Sequence, residues 1–343
     1  MASPVKDAAW LAWIEQLVVE GSAQLPPGLF HCLIDEQPNH LVAESALRHQ
    51  AGEDLAGRPL VLHPDGWITQ GEDLPTELAG QLSHLDHFAL QGFIFWLRDP
   101  GTQMVQPFWL GRELAASLRG LKPGDPVPDS VSPQIRRSLA IAGIFVPGDF
   151  VARRRQQWAE SLARSSAEFR QKHYSPMRGL IHPFHVAALR RYFRHLIRKG
   201  ALPLGDAQSS RRFIAHNESV LRFFHHQLTA VVSGIAGEPV KPSYVYLGAY
   251  QGGATLAKHT DREQCQFSIT FCLDYSPEPR AETPWPIELH PEDRKVTVFQ
   301  SIGDGLFYRG CLVPHSRQAL PEGHSSTSVF FHYVHENFAG PLD

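Results

Sequence analysis

The stretch AYQGGATLAKHTDREQCQFSITFCLDY, residues 249–275, decides the fold of this chain. A Gly-Gly turn precedes His259 and Asp261, and a run of alternating and then apolar residues follows them. Such a run predicts β-strand, and side chains at positions i and i+2 of a strand project to the same face. The imidazole of His259 and the carboxylate of Asp261 are therefore predicted to converge on one point.

The His-x-Asp pair alone is weak evidence for a site. The chain has 19 histidines, so about one such pair is expected by chance, and a second pair occurs at His84 and Asp86 in a polar, helix-like stretch. The pair at His259 differs because His315 lies downstream in LFYRGCLVPHSRQALPEG, ahead of the β-rich run TSVFFHYV. Two histidines and one carboxylate form the facial set that holds Fe(II) and leaves coordination positions open.

With these residues in place, the sequence resembles the iron(II)- and 2-oxoglutarate-dependent dioxygenases, in particular their prolyl-hydroxylase-like branch. The resemblance covers roughly residues 240 to 335 and is carried by Tyr250 nine residues before His259, His259-Thr260-Asp261, Gly303-Asp304, His315 and the strand at 323–331. It implies a double-stranded β-helix, or jelly roll, with His259, Asp261 and His315 as catalytic metal ligands. It also implies Fe(II), 2-oxoglutarate as cosubstrate and dioxygen, with Tyr250 donating a hydrogen bond to the cosubstrate.

One position departs from the family pattern. Members of the family carry Arg or Lys nine to eleven residues after the distal histidine, where the cation pairs with the far carboxylate of 2-oxoglutarate. Here those positions hold His324, Ser325 and Ser326, and a histidine offers at most one donor where a guanidinium offers two. Arg317, two residues after His315, is the first predicted replacement, with Ser326 as a further cosubstrate contact. Arg262, Arg309 and His324 are the next candidates for the anchor.

Composition limits the classes of partner. The net charge is -3 and no apolar run reaches the roughly 18 to 20 residues that span a bilayer, so neither a nucleic acid nor a membrane is an expected partner. The four cysteines have no C-x-x-C spacing, and the start of the sequence lacks the layout of a secretory signal. These features predict a cytoplasmic protein with reduced thiols, while the oligomeric state stays open.

The predicted fold class is α+β. A mixed α/β accessory domain over residues 1–150, with a role in substrate or peptide binding, precedes a helical linker at 151–175. An oxygenase domain at 176–343 then combines bracing helices with the β-helix. Two local predictions bear on the fold: a hairpin over residues 60–68 with its turn at 64–66, and one continuous helix over residues 212–235.

The resemblance predicts hydroxylation of an unactivated C–H bond in a peptide, protein side chain or small molecule, with release of succinate and CO2. Two alternatives share the same sequence features. One is a noncatalytic β-helix that binds peptides and has a vestigial metal site, which the missing cation after His315 favours. The other is a cupin-type metalloenzyme that does not use 2-oxoglutarate.

Overall fold

The structure is a computed structural model, and it describes residues 28–34, 58–70, 74 and 76–343. The prediction that no secretory signal is present rests on amino-terminal residues that lie outside these ranges. The described chain is an α+β fold whose strand pairs are antiparallel apart from one short parallel pair near its beginning. This agrees with the predicted class, and the division at residues 150 and 175 stays a prediction.

The first described third of the chain contains two small sheets. A four-stranded sheet has the order β1-β5-β4-β3, and β2 pairs with β6. The strands are β1 (Leu33–Ile34), β2 (Leu60–Leu62), β3 (Gly66–Gln70), β4 (Phe93–Arg98), β5 (Val105–Leu110) and β6 (Phe145–Pro147).

The predicted hairpin over residues 60–68 is wrong, because its two strands belong to different sheets. Leu62 pairs with Phe145, and Val61 also bridges Pro126, so both edges of β2 are occupied. The chain turns at residues 63–66 and Gly66 then pairs with Leu97 in the other sheet. Turn residues correctly marked the reversal, but the partner of each strand is set by contacts distant in sequence.

Six α-helices and three short 3-10 helices are present among the described residues. Ser132 caps the second α-helix by accepting a hydrogen bond from the Ile135 backbone N–H at 3.3 Å, as its position before Pro133 predicts. The α-helices are α1 (Arg112–Ser117), α2 (Pro133–Ile141), α3 (Phe150–Lys172), α4 (Pro183–Arg198), α5 (Ser219–Gln227) and α6 (Thr229–Ala236), and the 3-10 helices are Thr76–His84, Glu263–Cys265 and Pro291–Asp293.

The carboxy-terminal part contains a six-stranded and a four-stranded antiparallel sheet. The larger has the order β7-β14-β11-β16-β9-β8, and the smaller has the order β10-β15-β12-β13. From β9 onward the chain passes back and forth between them. The strands are β7 (Tyr174–Met177), β8 (Arg212–His216), β9 (Val240–Gln251), β10 (Leu256–His259), β11 (Phe267–Ser276), β12 (Ile287–Leu289), β13 (Val296–Val298), β14 (Gly305–Tyr308), β15 (His315–Arg317) and β16 (Ser325–His335).

The predicted continuous helix over residues 212–235 is also wrong. Its first part is the edge strand β8, which pairs residue for residue with β9 from Arg212 opposite Tyr250 to His216 opposite Tyr246. Asn217 then adopts a left-handed φ of 50°, and α5 begins at Ser219 with Glu218 as its cap. Pairing with a distant strand overrides the helical periodicity here.

The largest buried apolar cluster runs from the amino-terminal sheets through the helices into the six-stranded sheet. Its large side chains include Trp96, Trp109, Phe145, Phe224, Phe267 and Phe331. The aromatic run at Phe93–Arg98 is thus mainly core, as its composition predicts. Among the described residues, no helix has both the length and the apolar character required to cross a membrane.

Candidate metal centre

The two histidines of the predicted triad meet across two paired strands. His259 ends β10, His315 begins β15, and the strands place the two residues directly opposite each other. Their rings have centroids 4.4 Å apart. The predicted side-by-side arrangement of an early and a late strand therefore brings the residues together over a separation of more than fifty positions in the sequence.

Asp261 reaches the same point by a different route from the one predicted. It lies beyond the end of β10, in the loop before the 3-10 helix Glu263–Cys265, rather than at position i+2 of the strand. Its backbone N–H donates to the carbonyl of Gly310 at 2.9 Å, which fixes the loop against the segment before β15. The convergence of Asp261 with His259 was correctly predicted, but it is produced by a loop that is hydrogen-bonded to the distant carbonyl of Gly310.

The possible metal-ligand atoms of the three side chains lie close to one another. Asp261 Oδ1 lies 3.7 Å from His259 Nε2 and 3.5 Å from His315 Nε2. Each histidine donates its Nδ1–H to a backbone carbonyl: His259 to that of Ala257 at 2.8 Å and His315 to that of Val313 at 3.1 Å. In a neutral ring Nε2 then carries no proton, which is the tautomer that binds a metal.

Burial supports this protonation state at His315. The residue is almost fully buried, and burial lowers its pKa from the ordinary value, which favours the neutral ring. The hydroxyl of Tyr308 lies 3.5 Å from His315 Nε2 and 3.2 Å from Thr270 Oγ1. One wall of the site is therefore formed by β14 and β11 of the larger sheet.

Asp261 is held by residues that the sequence analysis did not single out. Ser268 donates its hydroxyl proton to Asp261 Oδ2 at 3.0 Å, and His332 Nδ1 lies 2.9 Å from the same hydroxyl. Because the hydroxyl proton of Ser268 goes to Asp261, Nδ1 of His332 is the donor to Ser268, and burial, which lowers the pKa of His332 to about 4, keeps the ring neutral. A side chain at Gly310 would collide with Asp261 and Ser268. The sequence contained one signal for this contact: Ser268 and His332 are polar residues inside two largely apolar strands. The pairing of these strands places the two residues directly opposite each other.

Arg317 lies on β15 two residues after His315 and is 5% exposed. Its guanidinium donates to the carbonyl of Trp285 at 2.7 Å and to Gln300 Oε1 at 3.3 Å, and it stacks 4.4 Å from the centroid of the Trp285 ring. Burial lowers its pKa, but a guanidinium stays charged at neutral pH. Within the described part of the chain, no carboxylate forms an ion pair with it.

The other predicted cosubstrate residues lie on strands of the larger sheet or just before them. Tyr250 is 1% exposed, and its hydroxyl accepts from Arg212 Nη1 at 2.6 Å, which leaves its own proton free to donate. Ser326 is buried and lies in register between Tyr250 on one neighbouring strand and Tyr275 on the other. His324 contacts the Tyr275 hydroxyl at 2.9 Å.

The same region links Tyr250 with Arg317. The Tyr250 ring packs edge-on against Trp285 at 5.0 Å, the ring that also stacks on the Arg317 guanidinium. Trp285, which the sequence analysis did not single out, contacts both Tyr250 and Arg317, and Arg212 donates to the Tyr250 hydroxyl.

The remaining candidate anchors have other contacts. Arg309 stacks on Phe169 and Phe267, at 5.4 and 5.3 Å from their ring centroids. Arg262 lies over the ring of Tyr244 at 4.9 Å. Of the three arginines considered from the sequence, Arg317 is the one that is buried, and it lies on the same strand as His315.

Solved structures offer similarities to this chain, whereas no protein-family model and no curated protein sequence matches it. A 2OG-Fe(II) oxygenase family oxidoreductase from Burkholderia pseudomallei is 13% identical, with a TM-score of 0.42, covering 52% of this chain and 92% of that one. The epimerase SnoN of nogalamycin biosynthesis, described as non-heme and alpha-ketoglutarate dependent, is 17% identical, with a TM-score of 0.44, covering 52% and 84%.

A prolyl hydroxylase from Trichoplax adhaerens, solved with a peptide fragment of the hypoxia inducible factor oxygen degradation domain, is 10% identical. Its TM-score is 0.43, and the match covers 52% of this chain and 92% of that one. The structures similar to this chain thus include 2OG-Fe(II) oxygenases and a prolyl hydroxylase, the groups that the sequence motifs resemble. At these identities the functional conclusion rests on the geometry of the candidate metal centre.

Proposed function

We propose that the protein is an Fe(II)- and 2-oxoglutarate-dependent dioxygenase whose two carboxy-terminal sheets form a double-stranded β-helix. The observation that carries the proposal is the convergence of His259 Nε2, His315 Nε2 and Asp261 Oδ1, none of which is hydrogen-bonded to another. Arg317, a buried cation that pairs with no acid among the described residues, lies on the same strand as His315.

The donor set fits a divalent iron. Two neutral imidazoles and one carboxylate match the facial arrangement of non-heme Fe(II) oxygenases. Metal–ligand bonds of about 2.0–2.2 Å place two ligands of one ion at most roughly 4.4 Å apart, and the separations of 3.7 and 3.5 Å from the aspartate oxygen lie within that limit. Hydrogen bonds from both histidines to backbone carbonyls fix the ring orientations in advance.

The roles of the surrounding residues follow from their contacts. When bound, Fe(II) with 2-oxoglutarate and dioxygen supplies the oxidation that hydroxylates a C–H bond and releases succinate and CO2. Asp261 offsets half of the metal charge and is oriented by Ser268. Arg317 would bind the far carboxylate of the cosubstrate. Tyr250, whose hydroxyl accepts a hydrogen bond from Arg212, would donate a hydrogen bond to the cosubstrate.

The proposed substrate is a peptide or protein side chain. Residues 1–150 and the linker at 151–175 lie outside the proposed oxygenase domain at 176–343, and a part of that size suits recognition of a macromolecule better than of a free metabolite. A mass-spectrometric screen for the gain of one oxygen, run on candidate peptides and on amino acids and other small molecules, distinguishes the two substrate classes.

Iron binding tests the candidate metal centre directly. Asp261→Ala is expected to weaken Fe(II) binding by more than about a hundredfold, because losing even the partners that orient metal ligands costs about 10–100-fold. Glu263→Ala, which removes an exposed acid two residues away, is the matched control and should bind iron normally. Equal iron content in the wild type and the Asp261 variant would overturn the assignment of the metal ligands.

Cosubstrate use is tested separately. Adding 2-oxoglutarate to the anaerobic Fe(II) protein should produce the weak visible charge-transfer band of the bound pair, and admitting air should yield succinate. Iron binding without the band or succinate would instead support a cupin-type enzyme that does not use 2-oxoglutarate. Absence of iron binding would support a noncatalytic binding protein.

A further inference from the structure

A second candidate site lies in a large cavity away from the metal centre. It has a volume of about 1770 Å³, compared with roughly 300–1,000 Å³ for typical small-molecule pockets. The pair β2–β6, the helices α2 and α3, and the loop at residues 302–303 line it. None of the triad residues is among its lining residues.

The charge of the lining is strongly positive although the whole chain carries a net charge of -3. Seven arginines line the cavity, against two aspartates, Asp99 and Asp129. Asp99 is already occupied, since it accepts from Arg154 Nε at 2.7 Å and from Thr102. Asp129 lies 3.9 Å from Arg136. The lining therefore leaves excess positive charge facing the cavity.

Three of these arginines have no carboxylate partner within the described ranges: Arg137 on α2, Arg164 on α3 and Arg178 after β7. All three are exposed at the edge of the cavity, so their guanidinium groups are accessible to a ligand. Each guanidinium can bind a carboxylate through two parallel hydrogen bonds. Their placement on three separate elements surrounds the opening with cations.

A buried donor inside the cavity also lacks a partner. His63 is 0% exposed and lines the cavity. Its Nδ1 accepts the backbone N–H of Asp65 at 3.1 Å, so Nε2 carries the proton, and Nε2 has no hydrogen-bond partner in the described structure. A buried donor without a partner costs free energy in the folded protein.

We infer that this cavity binds a peptide segment in which acidic side chains alternate with apolar ones. The acidic groups would pair with Arg137, Arg164 and Arg178. The apolar side chains would pack on the partly exposed lining residues Trp158, Ala140 and Ile141. A nucleic acid fits less well, because the cations ring a concave space with apolar walls rather than forming an extended basic surface.

The inference goes beyond the proposed oxygenase function, and the binding does not depend on iron. It is tested on the full-length protein with a metal chelator present, so failure of the metal centre cannot affect the outcome. A phage library of random peptides of about twelve residues would be selected on the wild type, with removal of peptides that bind the triple variant Arg137→Glu/Arg164→Glu/Arg178→Glu. Circular dichroism would verify that the variant is folded.

Enriched peptides are expected to combine acidic and apolar residues. A fluorescein-labelled enriched peptide should bind the triple variant at least about tenfold more weakly than the wild type. The control Arg155→Glu reverses an exposed charge on the same helix α3 that does not line the cavity, and it should leave affinity unchanged. Three outcomes would overturn the inference: no enrichment of acidic peptides, equal affinity for the triple variant, or displacement of the peptide by a single-stranded oligonucleotide that binds more tightly.

Discussion

Arg190 and Arg317 are both almost completely buried, and the two charges are compensated in different ways. Arg190 on α4 is 1% exposed and donates to Asp274 at 2.9 Å and to Glu278 at 2.5 Å. Arg194, one turn later, also pairs with Asp274. Arg317 on β15 is 5% exposed and donates to a backbone carbonyl and a side-chain amide.

The difference indicates which cation is structural and which is available to a ligand. A buried charge is costly unless it is paired and hydrogen-bonded. Arg190 meets this condition and ties α4 to β11. Arg317 is stabilised by neutral dipoles and the face of Trp285, so an anion brought to it would gain favourable charge pairing in a site shielded from water. Among the described residues, this buried positive charge thus has no carboxylate partner, and it lies on the strand that carries His315.

The largest expected effect follows from breaking the compensated cluster. Arg190→Met should lower the free energy of unfolding by about 3–5 kcal/mol, because it leaves the carboxylate of Asp274 buried with one partner fewer. Urea unfolding followed by circular dichroism measures the change. Arg198→Met, which removes an exposed arginine on the same helix, is the control and should change stability by less than about 0.5 kcal/mol. A comparably small loss for Arg190→Met would mean that the cluster does not brace the helix.

The second prediction concerns the uncompensated cation. Arg317→Met should change the free energy of unfolding by no more than about 1 kcal/mol, because relief from burying a charge offsets the lost hydrogen bonds. Affinity for 2-oxoglutarate should fall about 10–100-fold, since hydrogen bonds to a charged group contribute about 1.5–3 kcal/mol. Calorimetric titration of the anaerobic Fe(II) protein measures this affinity.

Arg317→Lys separates charge from geometry in the same titration. Lysine keeps the positive charge but lacks the planar pair of donors, so its affinity should fall between those of the wild type and Arg317→Met. Unchanged affinity in both variants would show that Arg317 does not anchor the far carboxylate of 2-oxoglutarate. His324 and Ser326 would then be the next candidates.

The sequence was most informative where residue types suited to metal binding occurred in a strand pattern. His259 and His315 were identifiable because each is associated with a strand and the set of ligand types is specific for a metal. Arg317 was identifiable because residues two apart on a strand share a face. The path of Asp261 was not predictable, since it depends on a hydrogen bond to Gly310, a residue 49 positions away.

The failures elsewhere have the same physical origin. Residues 212–216 have a helical pattern of apolar residues but pair with β9, and residues 60–62 pair with β6 rather than with their neighbours in sequence. Strand pairing is a long-range contact that local periodicity does not encode. For that reason the contact of Arg212 with Tyr250, which depends on β8 being a strand, could not be predicted.

The smallest expected effect tests that contact. Tyr250→Phe removes a hydroxyl that accepts a hydrogen bond from Arg212 and can donate one to a ligand. Affinity for 2-oxoglutarate should therefore fall about three- to tenfold, because one neutral hydrogen bond contributes roughly 0.5–1.5 kcal/mol. Tyr246→Phe is the matched control, because that hydroxyl on the same strand is directed to Asp206. The loss should be smaller than for Arg317→Met, since a neutral donor contributes less to binding a carboxylate than a cation does. If both tyrosine variants lose affinity equally, Tyr250 acts through the packing of β8 and β9 and does not contact the cosubstrate.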